Sequence, residues 1–188
     1  DIFMALIPKK LWKENGRAAV ALPDCFLFGD GIKGIHKEML LRDCKLHTII
    51  RLPKGVFAPY TSIKTNLLFF TKGATVDDDG DHFHTDTIWF YEHPYPPGYK
   101  SYSKTKPIQS GEFDPIKSWW GSDADNFAKR ETYYEDNQEI AEKRAWKYDF
   151  RTAREQAGTA AQPHWDNAEQ IRANAGLKRR QAKYLSDS

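Results

Sequence analysis

The stretch Leu52–Lys72, LPKGVFAPYTSIKTNLLFFTK, places one aromatic residue, Phe57, on a glycine-containing loop between two apolar runs. The run before the loop is LHTIIRL at Leu46–Leu52, and the run after it is NLLFFT at Asn66–Thr71. Both runs are too short for helices and are rich in Ile, Leu, Phe and Thr, so both predict β-strands. The two strands and the loop between them predict a hairpin that aims the ring of Phe57.

The position of Phe57 admits two interpretations. Arg51 and Lys54 come just before the ring and Lys64 comes after it, so positive charge surrounds it in sequence. Cations around an exposed ring are typical of sites for single-stranded or extruded nucleic acid, because backbone attraction and base stacking add. Alternatively, Phe57 closes the end of a hydrophobic core, which is the commoner fate of an aromatic side chain. Spacing alone leaves both interpretations open.

Composition is that of a soluble globular protein. With 188 residues, 40% hydrophobic and 29% charged, the chain suits one domain plus an extension. The net charge is only +2, so any binding of nucleic acid must depend on local patches. Cys25 and Cys44 lie far apart and form no metal-binding spacing, which fits a reducing cytoplasm. We find no signal peptide and expect no membrane contact.

The first residues, Asp1–Lys13, are apolar at helical spacing and lack an initiating methionine. Pro8 predicts a kink or a break in that helix. The apolar face of this first helix needs other parts of a protein to pack against, which is expected of a piece of a larger protein. We therefore expect further chemistry in the missing part.

The order of the apolar runs predicts an α/β sheet. RAAVAL at Arg17–Leu22 predicts a short strand that stops at Pro23, and Ile35–Arg42 predicts an amphipathic helix. Strand, helix and strand in that order make a βαβ crossover, so Arg17–Leu22 and Leu46–Leu52 should run parallel in one sheet. Asn66–Thr71 should return antiparallel beside them, because the connecting loop is too short for a crossover helix.

The rest of the chain predicts one strand, an arm and several helices. Thr87–Tyr91 is the strand. Glu92–Ser110 is dense in Pro, Gly, Tyr and Ser, which predicts an irregular arm that either wraps the domain or meets a partner. The helical candidates are Phe113–Trp120, Asn137–Trp146 and Trp165–Tyr184.

Two short motifs invite a functional interpretation that their context does not support. A GxGxxG pattern occurs at Gly29, Gly31 and Gly34, but its first glycine does not follow the strand directly, as a dinucleotide site requires. His82 and His84 alternate along an acidic loop, yet no third ligand has convincing spacing. We therefore predict neither a dinucleotide site nor a metal site. No nucleophile elbow or P-loop is present in the sequence either.

Longer phrases carry a more specific signal. GRAAVALPDCFLFG at 16–29, IHKEMLLRDC at 35–44 and LHTIIRLPKGVFAPYTSIKTNLLFFTKG at 46–73 closely resemble the modification (M) subunit of type I restriction-modification systems. These subunits are N6-adenine DNA methyltransferases of the N-6 DNA methylase family. The likeness continues through TIWFYEHPYPPGYKSYSKTKPI at 87–108 and FDPIKSWW at 113–120, and more loosely through AEKRAWKYDF at 141–150.

For the fold, the resemblance implies the C-terminal half of a Rossmann-like, S-adenosylmethionine-dependent methyltransferase sheet. Residues 1–92 would be the second half of the sheet domain, 93–125 an irregular Tyr/Pro-rich arm and 126–188 a helical C-terminal extension. The family's asparagine-proline-proline-aromatic motif and glycine-rich cofactor loop are absent from this sequence, and in family members they lie upstream. We therefore expect no catalytic residue here, no binding of S-adenosylmethionine by this chain alone, and no activity of the isolated chain.

For the site, the resemblance implies that Phe57 is the residue that stacks on a target adenine rotated out of the DNA duplex. Lys54, Tyr60 and Lys64 are candidates for neighbouring contacts with DNA. Asp24 lies where the active-site loops of open α/β sheets gather, and we assign it no specific role.

For the function, the resemblance implies a parent protein that methylates adenine N6 in DNA. Its implied partners are DNA, a specificity (S) subunit, a restriction (R) subunit and a second M subunit. The alternative is a non-catalytic interaction module that docks the specificity subunit, DNA or both.

Overall fold

The computed structural model describes residues 4, 7, 13, 15–28, 32–74, 82–122, 127–131, 133–137 and 140–156. The chain divides into two units, Asp1–Asp149 and Phe150–Ser188. In the second unit, residues 150–156 are helical. All strands of the described chain belong to the first unit, which therefore holds the features considered below.

A mixed six-stranded sheet organises the first unit. Its strands are β1 (Arg17–Pro23), β2 (Cys44–Leu52), β3 (Thr65–Lys72), β4 (Thr87–Glu92), β5 (Tyr133–Asn137) and β6 (Ile140–Asp149). They lie in the order β1-β3-β2-β4-β6-β5. β3 pairs antiparallel with both β1 and β2, β2 pairs parallel with β4, and β6 pairs antiparallel with β4 and β5. The predicted strands at β1 to β4, and the antiparallel return of β3, are confirmed.

Short helices connect and cover these strands. They are α1 (Cys25–Phe28), α2 (Ile32–Asp43), a 3-10 helix (Ser110–Phe113) and α3 (Asp114–Trp119). α2 occupies the predicted crossover between β1 and β2 and packs on β2. α3 begins with a proline in its first turn, where a missing N–H costs nothing. The predicted helices at 35–42 and 113–120 are therefore confirmed.

The helix predicted over Asn137–Trp146 is wrong, because most of this segment belongs to strand β6. Trp146 lies directly opposite Phe90 of β4, and the two rings stack with centroids 5.6 Å apart. Tyr148, two residues further on, contacts the same ring, with centroids 6.4 Å apart. Ala145, on the opposite face of the strand, is fully buried. This period of two favours a strand, so the predicted helical extension fails over these residues. Trp165–Tyr184 lies outside the described residues, as does most of Asp1–Lys13.

β2 lies at the centre of the core and is buried on both faces. On one face, Ile50 and Leu52 pack with Tyr91, Ile116 and Ala145. α2 also contacts β2, and its Leu40 is buried. Within the part of the chain that the structure describes, no helix is long and apolar enough to cross a membrane.

Arg130 fixes the segment after α3 to the sheet. Its guanidinium carbon lies 3.8 Å from the ring centroid of Phe127, 4.5 Å from that of Trp119 and 4.8 Å from that of Trp120. One guanidinium nitrogen also donates a 2.7 Å hydrogen bond to the hydroxyl of Thr48 on β2. Arg130 is buried, so its charge is stabilised by aromatic faces and hydrogen bonds instead of water.

Candidate functional site

Phe57 lies on the loop between β2 and β3, and it is not buried in the core. Its side chain is 41% exposed, and Tyr60 and Ile63 on the same loop are 92% and 56% exposed. The interpretation that Phe57 closes a hydrophobic core is therefore wrong. Three large apolar side chains on one exposed loop form a surface suited to binding a partner or ligand.

Hydrogen bonds within the loop hold the backbone of Phe57. Its carbonyl oxygen accepts hydrogen bonds from the N–H groups of Tyr60 at 3.0 Å and Thr61 at 3.2 Å. One turn earlier, the N–H of Ala58 donates to the carbonyl of Gly55 at 3.0 Å. Gly55 has a φ of +82°, a conformation that glycine adopts without strain. The exposed ring is thus attached to a hydrogen-bonded backbone.

The Tyr/Pro-rich arm predicted at residues 93–125 packs directly against the Phe57 loop. A Cβ atom on Gly55 would lie 2.4 Å from the carbonyl oxygen of Tyr102, so only glycine fits there. The Tyr95 hydroxyl donates to the Lys54 carbonyl at 3.1 Å, and the buried Tyr102 donates to the Glu112 carboxylate. Burial, together with that carboxylate, raises the pKa of Tyr102, so it remains a donor across the ordinary pH range. At these residues the arm wraps the domain.

Asp24 ties together the ends of three strands at the base of the loop. Its carboxylate accepts hydrogen bonds from the Arg51 guanidinium at 2.6 Å and from the Asn66 side-chain amide at 2.9 Å. Its backbone N–H donates to the Lys64 carbonyl at 3.0 Å. These contacts join the end of β1 to the end of β2 and the start of β3. Asp24, Arg51 and Asn66, which we call the Asp24 network, hold both ends of the Phe57 loop.

The three residues predicted to contact DNA lie on or beside the loop in different environments. Lys54 and Tyr60 are exposed. Lys64 has its Nζ 3.8 Å from a carboxylate oxygen of Glu92, in a pair whose side chains are 33% and 39% exposed. A pair this exposed contributes at most about 1 kcal/mol, so a phosphate could replace Glu92. The contacts of these residues with DNA remain predictions.

Sequence reasoning missed Asn66 and the role of Asp24. Asn66 is only 1% exposed, and an amide so deeply buried needs a hydrogen-bond partner. The available signal was one polar residue inside the apolar run NLLFFT. That run does not reveal its partner, which lies 42 residues away in sequence.

The other candidate sites gain no support from the described residues. None of their His, Cys, Asp and Glu side chains form a group of three able to hold a metal ion, and His82 and His84 contact each other edge to face. Gly29 and Gly31 of the GxGxxG pattern lie outside the described residues. Cys44 is buried, which raises the pKa of its thiol to about 12 and leaves it a poor nucleophile. Cys25 is exposed.

Comparison with known proteins gives matches along most of the chain. The family model of N-6 DNA Methylase matches residues 2–163. The methylase subunit of the type I restriction enzyme EcoEI from Escherichia coli is 53% identical over 147 residues, which are 78% of this chain and 26% of the relative. A modification subunit of a putative type I restriction enzyme from Vibrio vulnificus YJ016 has a crystal structure that is 41% identical, with a TM-score of 0.57 over 79% of this chain and 27% of that one.

A further solved structure comes from work on complex assembly and conformational transition of the type I R-M system. The match covers all of this chain and 39% of the chain in that structure. It is 25% identical, with a TM-score of 0.65. The mixed α/β sheet and these matches place the chain in a class of proteins related to DNA methylases.

More narrowly, the chain belongs to the N-6 DNA Methylase family, and the relatives it matches are type I methylase subunits. The resemblance inferred from the sequence is confirmed. The chain spans about a quarter of the length of the first relatives it matches.

Proposed function

We propose that this chain is a C-terminal part of a type I modification subunit, and that the parent protein methylates adenine N6 in DNA with S-adenosylmethionine. Membership of the N-6 DNA Methylase family supports the reaction class. The observation that carries the role of this chain is the exposed ring of Phe57 on a loop held by the Asp24 network and by the arm.

The chemistry explains what such a ring is needed for. The lone pair of adenine N6 is delocalised into the base, so an enzyme must rotate the base out and hold its amino group in line with the methyl donor. Phe57 would supply a face on which the rotated base stacks. Stacking on an aromatic side chain is worth about 1–3 kcal/mol per base.

The residues around Phe57 would position it and bind the DNA backbone. The Asp24 network holds the ends of the loop, and Tyr102 supports it at Gly55. Lys54 and Tyr60 are exposed on the same loop, and they would contact phosphate oxygens of an opened duplex.

The cofactor and the acceptors for the amino group are assigned to no residue of this chain. S-adenosylmethionine supplies the methyl group in this reaction. The sequence contains neither an asparagine-proline-proline-aromatic motif nor the family's glycine-rich loop. We expect the 188-residue chain to show no binding of S-adenosylmethionine by calorimetry, and tight binding would contradict this division of roles.

In this proposal the sheet is the second half of a Rossmann-like sheet, with β1 as its fifth strand and β2 and β3 as its final pair. The division at residues 92 and 125 remains our prediction. The proposed partners are DNA, a specificity subunit, a restriction subunit and a second modification subunit, in the cytoplasm. The match to a structure concerned with type I R-M assembly supports partners of this kind.

The alternative is an interaction module that docks a specificity subunit without touching the target base. The exposed Tyr60 and Ile63 would suit either role. Co-purification of the 188-residue chain with a specificity subunit, together with a Phe57→Leu parent that methylates normally, would favour this alternative.

Methyl transfer by the full-length parent tests the proposal. Phe57→Leu keeps an apolar side chain but removes the stacking face, and it should lower kcat/KM roughly 5- to 150-fold, the equivalent of about 1–3 kcal/mol. Phe57→Tyr keeps the ring and should remain within a few fold of the wild type. Ile63→Leu, a change at another exposed apolar position of the loop, is the matched control. Equal rates for the Leu and Tyr variants of Phe57 would contradict the stacking role.

A further inference from the structure

A groove of about 700 Å³ lies at the end of the sheet where β1 and β2 begin. Three of its described lining residues, Arg17, Lys45 and Lys72, carry a positive charge, and His84 lines it as well. None of the described lining residues is acidic. In a chain with 28 basic and 26 acidic side chains, such local separation of charge makes the described lining of the groove positive.

The strand register explains why Arg17 and Lys45 come together. Thr71 of β3 lies directly opposite Arg17 of β1 on one side and Lys45 of β2 on the other. Residues directly opposite each other share a face of the sheet, and neighbouring strands are about 4.8 Å apart. Arg17 and Lys45 therefore flank Thr71 with their Cα atoms roughly 10 Å apart, which leaves room for one tetrahedral anion between their side chains.

The groups in this row have hydrogen-bonding capacity that the described residues leave unused. Thr71 lines the groove, and its hydroxyl is buried without a hydrogen-bond partner in the part of the chain that the structure describes. Arg17 and Lys45 form no ion pair with any residue that the structure describes. A hydroxyl without a partner between two cations is unfavourable alone, and an anion that accepts from all three groups would satisfy it.

An apolar crevice of about 250 Å³ adjoins the groove and shares Arg17 with it. Its other lining residues include Ala19, His47, Phe69 and Trp120. Phe69 and Trp120 pack edge to face with ring centroids 4.7 Å apart. A positive groove next to aromatic side chains matches the two parts of a nucleotide, a phosphate and a planar base.

We propose that this groove is a phosphate-binding site for a nucleotide unit. Arg17 and Lys45 bind the phosphate oxygens, a change of the Thr71 side-chain rotamer lets its hydroxyl donate to one of them, and the base lies toward the crevice. A nucleic-acid backbone and a free nucleotide both supply this chemistry. The site is distinct from the Phe57 loop, because Lys45 and Leu52 are separated by about 23 Å along β2.

Binding of a fluorescently labelled single-stranded oligonucleotide to the 188-residue chain tests the site by anisotropy at several salt concentrations. The variant with Arg17→Gln and Lys45→Gln should bind at least tenfold more weakly. Its plot of log affinity against log salt should be shallower by about 1.4, since each lost phosphate contact removes about 0.7. The control, Lys100→Gln with Lys104→Gln, makes the same change of charge at exposed positions and should stay within about twofold of the wild type.

Thr71→Val provides a second variant without any change of charge, and its β-branched side chain suits a strand. It should weaken binding several fold. Competition with ATP distinguishes the two sources of phosphate. If ATP displaces the oligonucleotide from the wild-type chain, the groove binds free nucleotides. If ATP does not displace it, the groove binds a nucleic-acid backbone. Equal affinities for the groove variants and the lysine control would overturn the proposal, as would a wild-type chain that binds neither probe.

Discussion

Replacing Asp24 by alanine should destabilise the protein by loosening the base of the Phe57 loop. Asn66 is 1% exposed, so its amide would lose the 2.9 Å hydrogen bond to Asp24 without gaining water. A buried donor left without a partner costs about 1–3 kcal/mol. The Arg51 side chain is 36% exposed and can rehydrate, so loss of the ion pair adds at most about 1 kcal/mol. We expect the free energy of unfolding to fall by about 1–4 kcal/mol, the sum of the two contributions.

Urea denaturation of the 188-residue chain, followed by tryptophan fluorescence, measures this loss if the slope against urea is unchanged. Asp24→Asn keeps an oxygen acceptor for Asn66 and should lose less than half as much. Asp114→Ala removes an exposed carboxylate that pairs with Lys117 at 2.7 Å, and it should cost less than about 1 kcal/mol. A loss for Asp24→Ala no larger than that for Asp114→Ala would refute the role of the Asp24 network.

Further predictions concern the arm and the cysteines. Gly55→Ala should cost more stability than Gly98→Ala, because φ is about +80° at both glycines but only the Cβ on Gly55 would meet another atom, the Tyr102 carbonyl oxygen at 2.4 Å. Equal losses in urea denaturation would mean that the arm does not pack on the loop. At mildly alkaline pH, a thiol reagent should modify only Cys25 in the folded chain, because Cys44 is buried and burial raises the pKa of its thiol to about 12. After unfolding, the reagent should modify Cys44 as well. Modification of both cysteines in the folded chain would contradict this prediction. The stabilising contribution of protonated Cys44 should be complete below its unfolded pKa of 9.0 and decline as the pH rises from there towards 12, which denaturation at a series of pH values measures.

The sequence predicted the strands because their local pattern matches their environment. β2 and β3 are short apolar runs with turn residues between them, and both lie in the interior of the sheet. The prediction failed at Asn137–Trp146 because a strand there is stabilised by contact between Trp146 and Phe90, which local periodicity does not record. The exposure of Phe57 was likewise undetermined by spacing, since it depends on where the arm packs.

The supports of the candidate site were not predictable from local sequence, because each joins distant parts of the chain. Asp24 meets Asn66 across 42 residues, and Arg130 meets Thr48 across 82. The row of Arg17, Thr71 and Lys45 likewise exists only once β3 lies between β1 and β2. The family resemblance identified the loop, and the fold identified the residues that hold it.

The central claim is that Phe57 contacts the target adenine, and a double-mutant cycle between protein and DNA tests it most directly. The affinity of the full-length parent complex, wild type and Phe57→Leu, would be measured on its recognition duplex with either adenine or an abasic nucleotide at the target position. If Phe57 stacks on the target adenine, Phe57→Leu weakens binding to the adenine duplex by about 1–3 kcal/mol more than binding to the abasic duplex. An equal effect of Phe57→Leu on both duplexes would contradict it.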